Sequence, residues 1–162
     1  MTFKKAVEAA KPPLNKIYLS GLQALKKAHS KKIFCIRPVN LTITGSLDID
    51  SALAKIPKYA SENRLDYGIG YKPLKGKECA LWVEVHSAND QEVGTLVRKV
   101  KRLKEYLKAN ATELWELTLA SPQEIRYVWL GTKDVHLSKN DPAFKLAMQE
   151  GIAPPKRELR LP

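Results

Sequence analysis

No stretch of this sequence approaches the roughly 18 consecutive apolar residues that a bilayer-spanning helix requires, so an integral helical membrane protein is excluded. The opening residues, MTFKKAVEAAKPPLNKIYL, hold no apolar block of about 7–15 residues, and no secretory signal is read there. Cysteine is scarce. Its two copies, Cys35 and Cys79, lie in apolar, strand-like segments and read as buried free thiols rather than a disulfide, which points to a reducing, cytoplasmic compartment. Two cysteines and three scattered histidines (His29, His86 and His136) do not make a structural zinc site. His29 and His136 read as surface or structural residues. No glycine precedes Lys-Ser or Lys-Thr, and the Gly-Ile-Gly of LDYGIGY lacks the third glycine and the helix of a dinucleotide fingerprint. Phosphate-loop and dinucleotide-binding enzymes are therefore disfavoured. No serine or cysteine stands in a recognisable nucleophile motif, which leaves acyl transfer with little support.

Acid is also in short supply: 17 Asp and Glu face 28 Lys and Arg, a formal net charge of +11. The excess is concentrated. Residues 1–32 carry Lys4, Lys5, Lys11, Lys16, Lys26, Lys27, Lys31 and Lys32 against Glu8 alone. A second group, Arg98, Lys99, Lys101, Arg102, Lys104 and Lys108, falls within one expected helix. Such clusters attract phosphate backbones by Coulomb steering and counterion release, so nucleic acid is the expected partner, with no role for a membrane. A homodimer is compatible with the sequence.

At 162 residues the chain is expected to form a single domain with one sizeable core. After Pro12-Pro13, Leu14, Tyr18, Leu22 and Leu25 recur at helical spacing, so residues 1–32 read as a basic helical extension. IFCIRPV and LTITGSL read as strands, with Pro38 marking a break or an edge. Asp50 is the expected N-cap of a helix over SALAKIPKYASEN, distorted at Pro57. LDYGIGY and ECALWVEVHSA form a hairpin around the turn PLKGK. EVGTLVRKVKRLKEYLKA is the clearest helix, with Val93, Leu96, Val97, Val100, Leu103 and Leu107 along one stripe. ELWELTLA and IRYVWLGT read as strands, and KDVHLS as a possible extension of the sheet. Asp141-Pro142 opens a helix that Gly151 stops, and ELRLP adds an edge strand; together they make residues 141–162 a C-terminal helix and strand. The fold class is α/β (α+β), a mixed central sheet flanked by helices.

Side-chain alternation gives the hairpin two distinct faces. Tyr67, Ile69 and Tyr71 share one face with Cys79, Leu81, Val83 and Val85. Asp66, Gly68 and Gly70 share the other with Ala80, Trp82, Glu84 and His86. A slip of one residue would mismatch these faces, so an allowed register sets Tyr71 opposite Cys79 and Asp66 opposite Glu84. The first face reads as core. The second carries two carboxylates and a histidine among small residues. Carboxylates facing one another repel, and a divalent cation between them relieves the repulsion; hard oxygen ligands suit magnesium.

The order helix, LDYGIGY, turn, ECALWVEVHSA, basic helix, IRYVWLGT resembles the core of the PD-(D/E)XK nuclease superfamily, in its compact, Holliday-junction-resolvase-like form. The resemblance covers residues 50–131 and implies a restriction-endonuclease-like core. In that family an Asp opens one strand, an acidic-x-Lys motif ends the next, and a helix and a further strand follow. It implies Asp66 and Glu84 as ligands of Mg2+ (or Mn2+) and places His86 where the family has lysine. Leu65 stands where proline is frequent. An imidazole can serve as the base; alternatively Lys99, on the following helix, supplies the missing cation. By the same resemblance the protein hydrolyses a phosphodiester, with Arg98, Lys101 and Arg102 as phosphate contacts. A catalytically inactive nucleic-acid-binding or regulatory module of the same fold is the competing expectation. Trp82, Trp115 and Trp129 could stack on bases, but their apolar surroundings favour core positions.

Overall fold

The computed structural model describes residues 1–36, 40–133 and 135–161. In chain order the elements are α1 (Phe3–Ala9), a 3-10 turn (Leu14–Lys16), α2 (Lys27–Ser30), β1 (Ile33–Cys35), β2 (Leu41–Asp48), α3 (Ile49–Leu53), α4 (Pro57–Ala60), β3 (Tyr67–Pro73) and β4 (Cys79–His86). They continue with α5 (Asp90–Asn110), α6 (Thr112–Ala120), α7 (Gln123–Arg126), β5 (Tyr127–Gly131), α8 (Pro142–Gln149) and β6 (Leu159–Leu161). Strands β2-β3-β4-β5 form a mixed sheet in which the first three run as an antiparallel meander and β5 lies parallel to β4. The crossover from β4 to β5 runs through α5, α6 and α7, the long connection that a parallel pair requires. The mixed α+β class with a central sheet and flanking helices is the expected one.

The hairpin register is the one that alternation requires: Tyr71 opposes Cys79 and Tyr67 opposes Val83. Tyr67, Ile69, Tyr71, Cys79, Leu81, Val83 and Val85 form one core with Ile33, Leu159 and Leu161 of the small parallel β1–β6 sheet. The opposite face departs from expectation, because it is also core. Helices α1, α5 and α6 cover it with Phe3, Leu96, Val100, Leu103, Leu107 and Leu114 around Trp82. Gly68 and Gly70 make the space: a Cβ at Gly68 would lie 2.6 Å from the Trp82 ring, and one at Gly70 2.1 Å from the Phe3 ring. The small residues of this face are seats for two aromatic rings.

Other differences have local causes. Residues 14–25 do not continue as a helix: Gly21 adopts φ 55°, and Leu19 instead pairs with Ser46 beside β2. Asp48, not Asp50, caps α3 by accepting from the Ser51 N–H, while Pro57 opens the separate helix α4. ELWELTLA is helix α6, which buries Leu114, Leu117 and Thr118 at i, i+3, i+4 spacing and leaves no strand there. His136 makes a single bridge to Asn89, short of the strand expected over KDVHLS. The break expected at Pro38 lies outside the described residues. Asp141 caps α8 by accepting from the Ala143 N–H at 2.7 Å, and β6 forms in the tail as expected.

Candidate active site

Three elements bring charged side chains together at one end of the sheet. Asp66 lies one residue before β3, where its carbonyl accepts from the N–H groups of Ile49 (3.0 Å) and Asp50 (3.3 Å). These bonds tie the start of β3 to the start of α3. The Asp66 Oδ2 accepts from the Val85 N–H at 2.8 Å, which locks the carboxylate against the end of β4. Glu84 follows Trp82 by two residues on β4 and so points beneath α5, where only 2% of it is exposed. Lys99, in the third turn of α5, places Nζ on Oε1 of Glu84. The other oxygen, Oε2, is buried with no hydrogen-bond partner among the described residues.

Burial dominates the electrostatics. It pushes the Glu84 carboxyl up to about 7, reinforced by the like charge of Asp66 and opposed by Lys99. Burial likewise holds Asp66 above the usual carboxylate range, against the pull of the Val85 N–H and Lys99. Lys99 bonds Glu84 alone, its charge also reaches Asp66, and for both carboxyls desolvation outweighs its attraction. A small pocket beside them is lined by Glu84, His86, Glu92, Thr95, Lys99 and Trp129.

His86 ends β4 and is half-exposed at this pocket. Its Nδ1 lies 3.8 Å from Glu92 Oε2 and 3.2 Å from the Ser87 hydroxyl, so it turns toward the first turn of α5. Its carbonyl accepts from the Trp129 indole N–H at 3.3 Å, and Trp129 stands opposite Glu84 in the β4–β5 ladder. Glu84 and Lys99 meet in this pocket, which His86 lines from its exposed side; Asp66 is not one of its walls and stands near the pair, bonded to the Val85 N–H next to Glu84.

The basic surface of α5 is less free than its composition suggests. Arg98 is exposed, and among the described residues it bonds Thr95 alone (3.2 Å). Arg102 reaches Glu62 (3.3 Å) and Glu105 (3.4 Å). Lys101 (3.6 Å) and Lys104 (3.0 Å) share Glu150. Trp82 and Trp129 are core residues, and half-buried Trp115 lies under the Lys108 ammonium at 4.9 Å.

Two neighbours were not legible from the chain. His29 of α2 places Nδ1 2.8 Å from the Tyr67 hydroxyl, next to Asp66, although 37 residues separate it from that aspartate. Glu92 lines the pocket from α5, and only the helix register signals it. Among the described residues no group of three or more His, Cys, Asp or Glu side chains is gathered to hold a metal, and no helix is long and apolar enough to cross a membrane. No protein-family model, curated protein or solved structure matches the chain.

Proposed function

We propose that this protein is a metal-dependent phosphodiester hydrolase of the PD-(D/E)XK kind that acts on nucleic acid. The observation that carries the reading is the Glu84–Lys99 pair with Asp66 near it, and with Glu84 Oε2 buried and unpartnered among the described residues. The order of elements supports it: an aspartate opens β3, a glutamate sits on β4, and α5 and β5 follow.

The residues fit a hard divalent cation. Magnesium is commonly held by one or two carboxylates, with water and substrate phosphate completing its shell. Asp66 and Glu84 offer that pair, and the orphaned Oε2 is a ligand atom without another use. Magnesium or manganese held there would lower the pKa of a bound water and neutralise charge on the phosphate. Lys99 fixes Glu84 and retains N–H donors beyond the one on Oε1, which suit a phosphate oxygen. His86 lines the exposed side of the pocket but is turned toward Glu92, which gives it a secondary role. Leu96 and Trp129 supply the apolar part of the pocket wall.

One contact favours a second reading, a binding module without chemistry: Lys99 already neutralises one oxygen of Glu84. Cleavage decides between them. Incubated with magnesium or manganese, the full chain should cut a member of a panel of duplex, single-stranded and branched DNA and RNA. Glu84→Gln should reduce the rate more than about 100-fold while leaving nucleic-acid binding in EDTA intact. Absence of cleavage across the panel, with no manganese bound by calorimetry, would leave the module.

A further inference from the structure

The cations of α5 are largely matched by Glu62, Glu105 and Glu150, whereas another group is not. Lys26, Lys27 and Lys31 are exposed on and around α2, and Lys32 follows them into β1. The Lys32 carbonyl accepts from the Leu159 N–H at 2.8 Å, which brings the tail alongside. Lys32, Lys156, Arg157, Glu158 and Arg160 then line one open cleft. Glu158, its one acid, is paired with Arg160 at 3.4 Å. Lys26, Lys27, Lys31, Lys32 and Lys156 have no acidic partner among the described residues.

The cleft has a definite position relative to the carboxylates. Lys156 is held on β5 by its N–H to the Trp129 carbonyl (3.0 Å) and its carbonyl from the Gly131 N–H (2.8 Å). Trp129 is the ladder partner of Glu84. Lys156 thus lies two strand spacings from Glu84, about 10 Å across the sheet. At the other side, α2 touches β3 through His29 and Tyr67, next to Asp66. The basic segments therefore meet at the sheet end that carries Asp66 and Glu84, on the face opposite α5.

We propose that the nucleic-acid backbone is held in this cleft, where residues 26–32 meet residues 156–160, and crosses the sheet end to reach the carboxylate pair. The inference deepens the nuclease reading and rests on it for the identity of the polyanion. Concave walls bearing cations from two chain segments suit a phosphate backbone, which carries one charge per roughly 1.7 Å of duplex. A flat anionic lipid surface would not enter the cleft.

The test is fluorescence anisotropy of a labelled 20-base-pair DNA duplex, with salt varied and EDTA present. The triple variant Lys31→Gln, Lys32→Gln, Lys156→Gln should weaken binding about tenfold and lower the slope of log K against log salt by about 2–3. The triple variant Arg98→Gln, Arg102→Gln, Lys101→Gln should change affinity less than about threefold. Lys26→Gln with Lys27→Gln, on exposed positions, should act in the same direction as the first triple and guards against a folding artefact. The reverse ranking, or wild-type protein without salt-dependent affinity, overturns the proposal. So does wild-type protein that binds phosphatidylserine vesicles but not the duplex at the same salt. Because EDTA removes cleavage from the readout, binding through the cleft without cutting rejects only the hydrolase reading.

Discussion

The Lys99 ammonium sits on Oε1 of Glu84, joining the middle of α5 to β4 beneath the helix, and leaves Oε2 of the same carboxylate bare. Among the described residues nothing else bonds that second oxygen. A closed pair in the interior has its lone pairs satisfied, because an unsatisfied buried charge is costly.

Lys99→Met should remove the only cation bonded to Glu84 among the described residues. The loss of stability should approach roughly 3 kcal/mol at pH 8, where an uncompensated carboxylate is buried. It should be smaller at pH 5.5, where Glu84 takes up a proton. Urea melts at the two pH values check this. A double-mutant cycle with Glu84→Gln should return a clear coupling energy, and additive effects would contradict the contact.

The pH profile of stability follows from Glu84 itself. Its carboxyl titrates near 7 when folded, above its ordinary range, so the native state holds the proton more tightly than the unfolded chain does. Its contribution to stability is therefore full below about pH 4.5 and is lost as pH rises to about 7, by on the order of 3 kcal/mol at most. Asp66, shifted in the same direction, adds to the trend. Relative to Glu84→Gln, the wild-type melting temperature should fall across this window and level off above it.

His86 and Lys99 make different predictions for chemistry. Lys99→Ala should reduce cleavage more than about 100-fold, because its charge stands on the buried carboxylate. His86→Ala, at a half-exposed position turned toward Glu92, should cost less than about tenfold. Rates measured with a saturating substrate in manganese separate the two; a larger loss at His86 would make the imidazole the base.

Gly70→Ala tests the packing of α1 on the sheet face that also carries Glu84. A methyl group there would collide with the Phe3 ring, whose helix is also held by the Phe3 N–H on Glu78 Oε2 at 2.6 Å. Destabilisation of about 1–3 kcal/mol is expected, as for other overpacked cores. Limited proteolysis should then cut first within residues 1–11.

Much of this arrangement was legible in the sequence because strand alternation and parity constrain a hairpin tightly. The faces of β3 and β4 and the pairing of Tyr71 with Cys79 follow from where Tyr67, Ile69, Leu81 and Val83 stand. The stripe of α5 is equally explicit, and with it the placing of Lys99 beside the sheet. The helix α6 was not legible as such: ELWELTLA is a short apolar run, and only its lack of a strand partner resolves it. The burial of the Asp66–Glu84 face is not legible there either. Gly68, Gly70 and Ala80 look like an empty surface until Phe3, from the other end of the sequence, fills it. His29 reaches Tyr67 by tertiary contact alone, which no local pattern encodes.

The ladder that sets Trp129 opposite Glu84 also equips the pocket with an intrinsic optical probe. Its indole is a wall of the pocket and donates to the His86 carbonyl, so its emission is exposed to changes in charge on the neighbouring carboxylate. Trp82 is enclosed on the same sheet face, with its N–H on Thr118 at 2.9 Å, and Trp115 lies beneath Lys108. With those two replaced by phenylalanine, the remaining fluorescence would report protonation and occupancy at Glu84 directly, without a label and before any substrate is known.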